Sequence, residues 1–229
     1  MGSDGPKVLV RARGKPLISY VLDAAQPFSA KPIVVVGYRG HEVRQAFGNA
    51  CVYAEQPEQL GTGNAVACAL PAVPADADTV LVLYGDHPLV SRDTIARLIA
   101  ARSGAGAVLS MATIAVPDFE GDNACFARFS RVVRESGGKI VRTVEWKDAT
   151  DAEKEIREVN PAYYCFDARW LREHISRLDN ENAAGEYYLP DMLRLAIAGG
   201  KQVAAIAIGP EEGRGANTPD ELVVVERYL

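Results

Sequence analysis

Apolar residues fall in two rhythms along this chain, and the rhythm changes near residue 106. Before that point, short apolar runs alternate with stretches whose apolar residues recur at helical spacing. Pro16–Ala25 has helical spacing with proline at the first turn, which predicts a helix. Ile33-Val34-Val35-Val36-Gly37 is unbroken and β-branched, the signature of a strand buried on both faces. A helix over His41–Phe47, a strand at Cys51–Ala54 and a helix over Asn64–Leu70 follow. Thr79–Tyr84 carries the strongest strand signal, and Ser91 is placed to cap a helix over Arg92–Arg102.

Beyond residue 106 strands dominate. Ala107–Val116, Phe126–Arg134, Lys139–Val144 and Val159–Phe166 all read as strands joined by short polar turns. Helical spacing returns at about 168–178 and 189–198, then a strand at 202–208 and a closing helix from Pro219. Strand-helix repetition implies right-handed crossovers. The expected fold is therefore α/β and Rossmann-like, a mixed, mostly parallel sheet with helices on both faces. No repeat or linker divides its 229 residues, so one domain is expected.

Composition narrows the function classes. Twenty-five basic against thirty acidic side chains give a net charge of −5, which removes a general nucleic-acid-binding field. No apolar run approaches the ~18–20 residues of a membrane span. The first seven residues, Met1–Lys7, contain no apolar secretory core, so the expected location is the cytoplasm. The four cysteines (Cys51, Cys68, Cys125 and Cys165) are scattered among apolar residues, as buried free thiols are, and no zinc spacing occurs.

Ligands of such folds bind at the carboxyl ends of parallel strands, and three segments there carry candidate chemistry. Gln56–Ala65 follows a strand and opens a helix; its glycines let backbone approach a ligand, although the same residues suit an ordinary turn capped by Thr62. Tyr84-Gly85-Asp86-His87-Pro88 follows the strongest strand. A carboxylate there can hold Mg²⁺ or simply bond its own turn. Gly185–Asp191 places two tyrosines and Pro190 at a helix entrance.

In order and spacing these segments resemble the sugar-nucleotide transferases, in particular the pyrophosphorylase domain of bifunctional N-acetylglucosamine-1-phosphate uridyltransferases. The resemblance runs through Pro6-Lys7-Val8-Leu9, Gly14-Lys15-Pro16-Leu17, Gln59–Gly63, Tyr84–Asp86, Glu145–Thr150, Glu186–Tyr188 and Asn217, nearly the whole chain. It implies nucleotidyl transfer from UTP to a sugar 1-phosphate, with a nucleotide-binding half at about 1–105 and a sugar-binding half at about 106–229. Lys7 and Asp86 would be catalytic, with Asp86 and Asn217 the ligands of a Mg²⁺ cofactor. Gln56, Gly61 and Thr62 would read the uracil, with Gln59, Tyr84 and Gly85 lining the same substrate site. Glu145 and Asn160 would hold the sugar, beside Ala127. The family's acetyltransferase half has no counterpart here, and the resemblance leaves the oligomeric state open.

The sequence departs from the family in four places. Asn160-Pro161-Ala162 replaces Asn-Thr-Gly, Phe126-Ala127-Arg128 replaces Tyr-Gly-Arg, and Pro190 replaces a threonine, all on the sugar side. The glycine-rich segment that wraps the triphosphate has no counterpart except Met1, which falls on that motif's methionine. The expectation is a chain that begins inside a longer reading frame, with a gap or exposed edge in its sheet. Two alternatives follow: a transferase for another base or sugar phosphate, or a nucleotide-sugar-binding protein with a degenerate site.

Overall fold

The computed structural model describes residues 5–229, so the reading of Met1 lies outside the described residues. A short hairpin, β1 (Arg11–Ala12) and β2 (Lys15–Pro16), leads into α1 (Leu17–Ala25). The strand β3 (Ile33–Val36), α2 (Gly40–Phe47), β4 (Val52–Glu55) and α3 (Thr62–Ala69) follow, then β5 (Thr79–Val82) and α4 (Arg92–Gly104). The second half contains β6 (Leu109–Ala115), β7 (Ser130–Arg134), β8 (Ile140–Val144), α5 (Asp151–Lys154), β9 (Glu158–Asn160) and β10 (Tyr164–Asp167). It closes with α6 (Ala168–His174), α7 (Asp191–Ala198), β11 (Val203–Ala207) and α8 (Pro219–Tyr228).

The helix ends have chemical causes. Ser91 Oγ accepts from the Thr94 N–H at 3.0 Å, capping α4 as its sequence predicts. Thr218 and Glu221 form a reciprocal capping box at the start of α8, and Thr150 and Glu153 form another on the short α5, which hydrophobic spacing alone does not reveal.

The main sheet is mixed, in the order β5-β10-β6-β9-β7-β8, with β11 also on β6. Strands β5, β6, β11 and β7 run one way and β10, β9 and β8 the other. Alternation along β6 and β10 divides the core into two layers. Leu109, Met111, Tyr164 and Phe166 pack with Val66 of α3, Trp170 and Leu171 of α6, and Met192 and Leu193 of α7. Ala112, Ile114 and Cys165 face the other way, onto Val21 and Ala24 of α1 and Ile95 and Leu98 of α4. Helices thus cover both faces.

Three local expectations change. Phe126–Phe129 is not strand: a 3-10 segment over Gly121–Arg128 precedes β7, because the buried Arg131 guanidinium draws in the carbonyls of Phe126, Ala127 and Phe129. The run Val159–Phe166 splits into β9 and β10, since Pro161 has no N–H for a ladder and Ala162 adopts φ +61°. Cys51 and Cys165 are buried, whereas Cys68 and Cys125 are only half-buried.

Strands β3 and β4 pair in parallel but form a separate ladder. A cavity of about 1030 Å³ lies between β3 and β5, walled by α1 and α3. This is the gap expected in the sheet. It leaves most of β3 and all of β5 half-buried, although their apolar runs predict full burial on both faces. No helix of the described residues is long and apolar enough to cross a membrane.

Candidate active site

Past the carboxyl end of β5, the chain turns through Tyr84, Gly85, Asp86 and His87. Gly85 has no room for a side chain without movement: a Cβ there would stand 3.2 Å from Val8 and 3.4 Å from Ile18. The absence of a side chain at Gly85 thus lets the segment that carries Lys7 lie close against the turn. Lys7 Nζ forms an ion pair with Asp86 Oδ2 and donates to Asn217 Oδ1 at 2.5 Å. Three residues from the two ends of the chain and its middle thus meet at one point.

Asn217 is delivered by a loop that is itself tied down. The Ala216 N–H donates to the Asp86 carbonyl at 3.2 Å. Glu212 receives the Ser91 N–H and the Thr94 hydroxyl, both at 2.9 Å. The Glu221 carboxylate takes the Asn217 N–H at 2.6 Å.

His87, which spacing alone singles out for nothing, is the internal prop of this corner. It is buried and stacked between Tyr84 and Phe129, at ring separations of 5.3 and 6.1 Å. The Tyr163 hydroxyl donates to the Glu212 carbonyl at 2.7 Å, so its oxygen accepts from His87 Nδ1–H at 3.1 Å. Burial lowers the His87 pKa, which keeps the ring neutral. Gly215 crosses directly over it, where a Cβ would come within 2.8 Å of the imidazole. An Asp-His step directly after a strand was the available signal.

Burial by itself would raise the Asp86 carboxyl, but neighbouring His87 and the Lys7 ammonium, which also donates a hydrogen bond, together hold Asp86 below its ordinary value. Asp86 is therefore an anion beside a cation at neutral pH. A carboxylate and an amide oxygen converging on one cation form a hard donor set, the kind Mg²⁺ takes. Among the described residues, no cluster of three or more His, Cys, Asp or Glu side chains is placed to hold a metal ion.

The Gln59–Gly63 turn is closed by the Glu186–Leu189 segment. Tyr187 N–H donates to the Leu60 carbonyl at 2.8 Å, and Gly63 N–H to the Tyr187 carbonyl at 2.7 Å. Thr62 is not the cap but the first helical residue, and its Oγ accepts from the Leu189 N–H at 3.1 Å. Gly61 is the N-cap at φ +99°, where a Cβ would lie 2.7 Å from the Tyr187 carbonyl oxygen. Gln56 Nε2 donates to the Gly61 carbonyl at 3.0 Å and to Asn64 Oδ1 at 2.8 Å, so its amide braces the turn. The Gln59 side chain lies over Gly37, beyond β3.

Glu145 stands at the end of β8, half-buried, and accepts from Ser130 Oγ at 2.5 Å. Withdrawal from water raises its pKa, and the nearby carboxylates of Asp191, Asp148 and Glu186 raise it further. Asn160 is buried and committed: Nδ2 donates to the Tyr164 hydroxyl at 2.6 Å, and Oδ1 accepts from the Ala162 N–H at 2.8 Å. The Ala127 carbonyl is taken by Arg131 at 2.7 Å. Tyr84 links the two regions, since burial raises its pKa and both Glu145 and Asp86 add to the rise.

Comparison with known proteins bears on this geometry. The sequence model of the MobA-like NTP transferase domain matches residues 1–194. The chain is 43% identical over 230 residues to a bifunctional protein GlmU from Cupriavidus necator, covering 99% of this chain and 48% of that protein. It is 39% identical over 231 residues to the bifunctional protein GlmU of Heliobacterium modesticaldum, covering 100% of this chain and 49% of that protein. The chain thus spans about half the length of the curated relatives it matches. A nucleoside-diphosphate-sugar pyrophosphorylase from Vibrio cholerae RC9 shares the fold, with a TM-score of 0.69 and 20% identity over 99% of this chain and 93% of that one.

Proposed function

The chain belongs to the family of MobA-like NTP transferase domains, and from that premise we propose that it transfers a uridylyl group from UTP to a sugar 1-phosphate, N-acetylglucosamine 1-phosphate foremost. The meeting of Lys7, Asp86 and Asn217 past the end of β5 carries this reading. A phosphate oxygen of the sugar attacks the α-phosphorus of UTP. The new P–O bond forms as the bond between the α-phosphorus and its bridging oxygen breaks, and pyrophosphate leaves with that electron pair. The nucleophile is already an anion, so no protein base is required. The barrier is charge repulsion and alignment.

Lys7 is the cation that contacts phosphate, positioned by Asp86 until substrate arrives. Gln56 and the backbone of the Gly61-Thr62 turn read the uracil. Two oxygens, from Asp86 and Asn217, would hold Mg²⁺, which when bound supplies charge neutralisation on the phosphates. Glu145 accepts hydrogen bonds from sugar hydroxyls, its side chain already oriented by Ser130. Asn160 shapes the sugar pocket through Ala162 and Tyr164, because its own amide is spent on them.

The test is pyrophosphate release by the full chain with Mg²⁺, across four nucleoside triphosphates and a panel of sugar 1-phosphates. UTP with N-acetylglucosamine 1-phosphate should turn over fastest. Equal turnover of all four triphosphates would remove the uracil-reading role. Tight binding of UDP-sugar without any pyrophosphate release would favour a binding protein instead.

A further inference from the structure

We infer that Ser130 is a positioning residue of the sugar end, whose hydroxyl engages one oxygen of Glu145 and leaves the other as a fixed acceptor for a sugar hydroxyl. This role rests on the sugar assignment proposed for Glu145. Strand β7 lies between β8 and β9. Arg131 stands opposite Val144 in the antiparallel register, so the next pair outward sets Ser130 opposite Glu145. On its other side Ser130 stands opposite Asn160. Directly opposed residues of antiparallel strands share a face, so Glu145, Ser130 and Asn160 form one row across three strands. Ser130 is its middle member and only 6% exposed, where a hydroxyl without a partner would be costly.

Counting hydrogens fixes the direction of each bond. A carboxylate has none to give, so the Ser130 hydroxyl donates to Glu145 Oε1, at 2.5 Å. Asn160 cannot compete for that hydrogen or replace it, because its Nδ2 donates to Tyr164 and its Oδ1 accepts from Ala162. Among the described residues the Glu145 carboxylate receives no other side-chain hydrogen bond. One oxygen is therefore tied to β7, which fixes the rotation of the carboxylate, and the second keeps its capacity to accept.

The surroundings give this bond its importance. The charged groups that act on Glu145 are all acidic: Asp148 on its own turn, Glu186 from the segment closing the Gly61 turn, and Asp191 at the start of α7. Tyr84 and Tyr164 also face it, and burial keeps both phenols neutral. Arg194 of α7 is shared between Asp179 and Asp191, at 3.2 and 3.9 Å. Burial and the three carboxylates favour a protonated Glu145, and the Ser130 hydrogen bond is what opposes them. Without that hydroxyl the carboxyl would take up a proton at higher pH, and an acceptor would become a donor.

The test is pyrophosphate release by the full chain with Mg²⁺, UTP and N-acetylglucosamine 1-phosphate, between about pH 5 and 8. Ser130→Ala should raise the KM for the sugar phosphate about tenfold and leave the KM for UTP within about twofold. The acid limb of kcat/KM for the sugar should move to higher pH by about half a pH unit. The sugar phosphate itself titrates alike with every variant, so the difference between variants reports on Glu145. Ser130→Thr restores the hydroxyl and should return both read-outs toward their original values. A Ser130→Ala chain with both KM values raised alike and the limb unmoved would reduce Ser130 to packing and overturn the inference. A folded Ser130→Thr chain that recovers neither read-out would do the same. If Glu145→Gln raises the sugar KM while Ser130→Ala does not, the role of Ser130 falls and the sugar role of Glu145 stands. If Glu145→Gln leaves the sugar KM unchanged, or no sugar phosphate supports release, both fall.

Discussion

Asp86 and Glu145 are two carboxylates at the ends of strands in one site, both drawn partly out of water, and they are shifted in opposite directions. Asp86 meets an ammonium, so its charged form is favoured despite burial. For Glu145, burial disfavours the charged form, and three nearby carboxylates add to this against the opposing hydrogen bond from Ser130. The difference teaches that burial alone does not set a carboxylate's state; the nearest counter-charge does. The two ends of the site are thereby suited to different ligands. One balances the charge of phosphates, and the other presents acceptors to neutral hydroxyl groups.

The sharpest way to break this contrast is Asp86→Asn. It removes the charge at the phosphate end while keeping the shape, and pyrophosphate release should fall by about 10²–10³-fold, with a single cooperative urea transition retained. Asn217→Ala should act in the same sense but more mildly. A variant at residue 86 that retains half its activity would take Asp86 out of the mechanism.

Gly61→Ala tests whether the turn assigned to uracil depends on close backbone approach. Positive φ and the 2.7 Å approach to the Tyr187 carbonyl should together cost about 2–3 kcal/mol, seen in urea unfolding. A loss under half a kilocalorie would mean that the turn yields easily. On the phosphate side, Tyr163→Phe leaves the Glu212 carbonyl and His87 Nδ1 without their shared partner. A loss of about 1–2 kcal/mol is expected, with Asp86-dependent activity reduced in parallel.

The smallest effect lies in pH dependence, and it separates the two carboxylates by sign. Asp86 has its folded pKa below its unfolded value. Its stabilisation is present above about pH 3.9 and disappears as pH falls through the lower folded value. Glu145 has its folded pKa above its unfolded value of about 4.3, so its protonated form favours the fold and a penalty develops as pH rises past that point. Urea midpoints between pH 3 and 7 should show Asp86→Asn flattening the acid limb and Glu145→Gln raising stability at neutral pH. If both variants shift the curve in the same direction, the contrast between the two ends is wrong.

The alternation of short β-branched runs with amphipathic stretches determined the α/β fold, since one-dimensional periodicity reports directly on which face of an element is buried. The Ser91 cap was legible for the same reason: its partner lies three residues away. The Asp86 turn was legible as a strand-end carboxylate, and the family resemblance supplied Lys7 and Asn217. Their meeting, across 210 residues, is a tertiary fact. So are the prop under Asp86, made by His87 with Tyr163, and the closure of the Gly61 turn by Tyr187. The sequence also determined that β3 and β5 are apolar enough for complete burial, but only the tertiary structure shows that, among the described residues, they belong to separate ladders with a cavity between them. Periodicity specifies what each residue prefers as a neighbour. Which neighbour it receives, and whether a cation stands beside a buried carboxylate, depends on distances that only the folded chain sets.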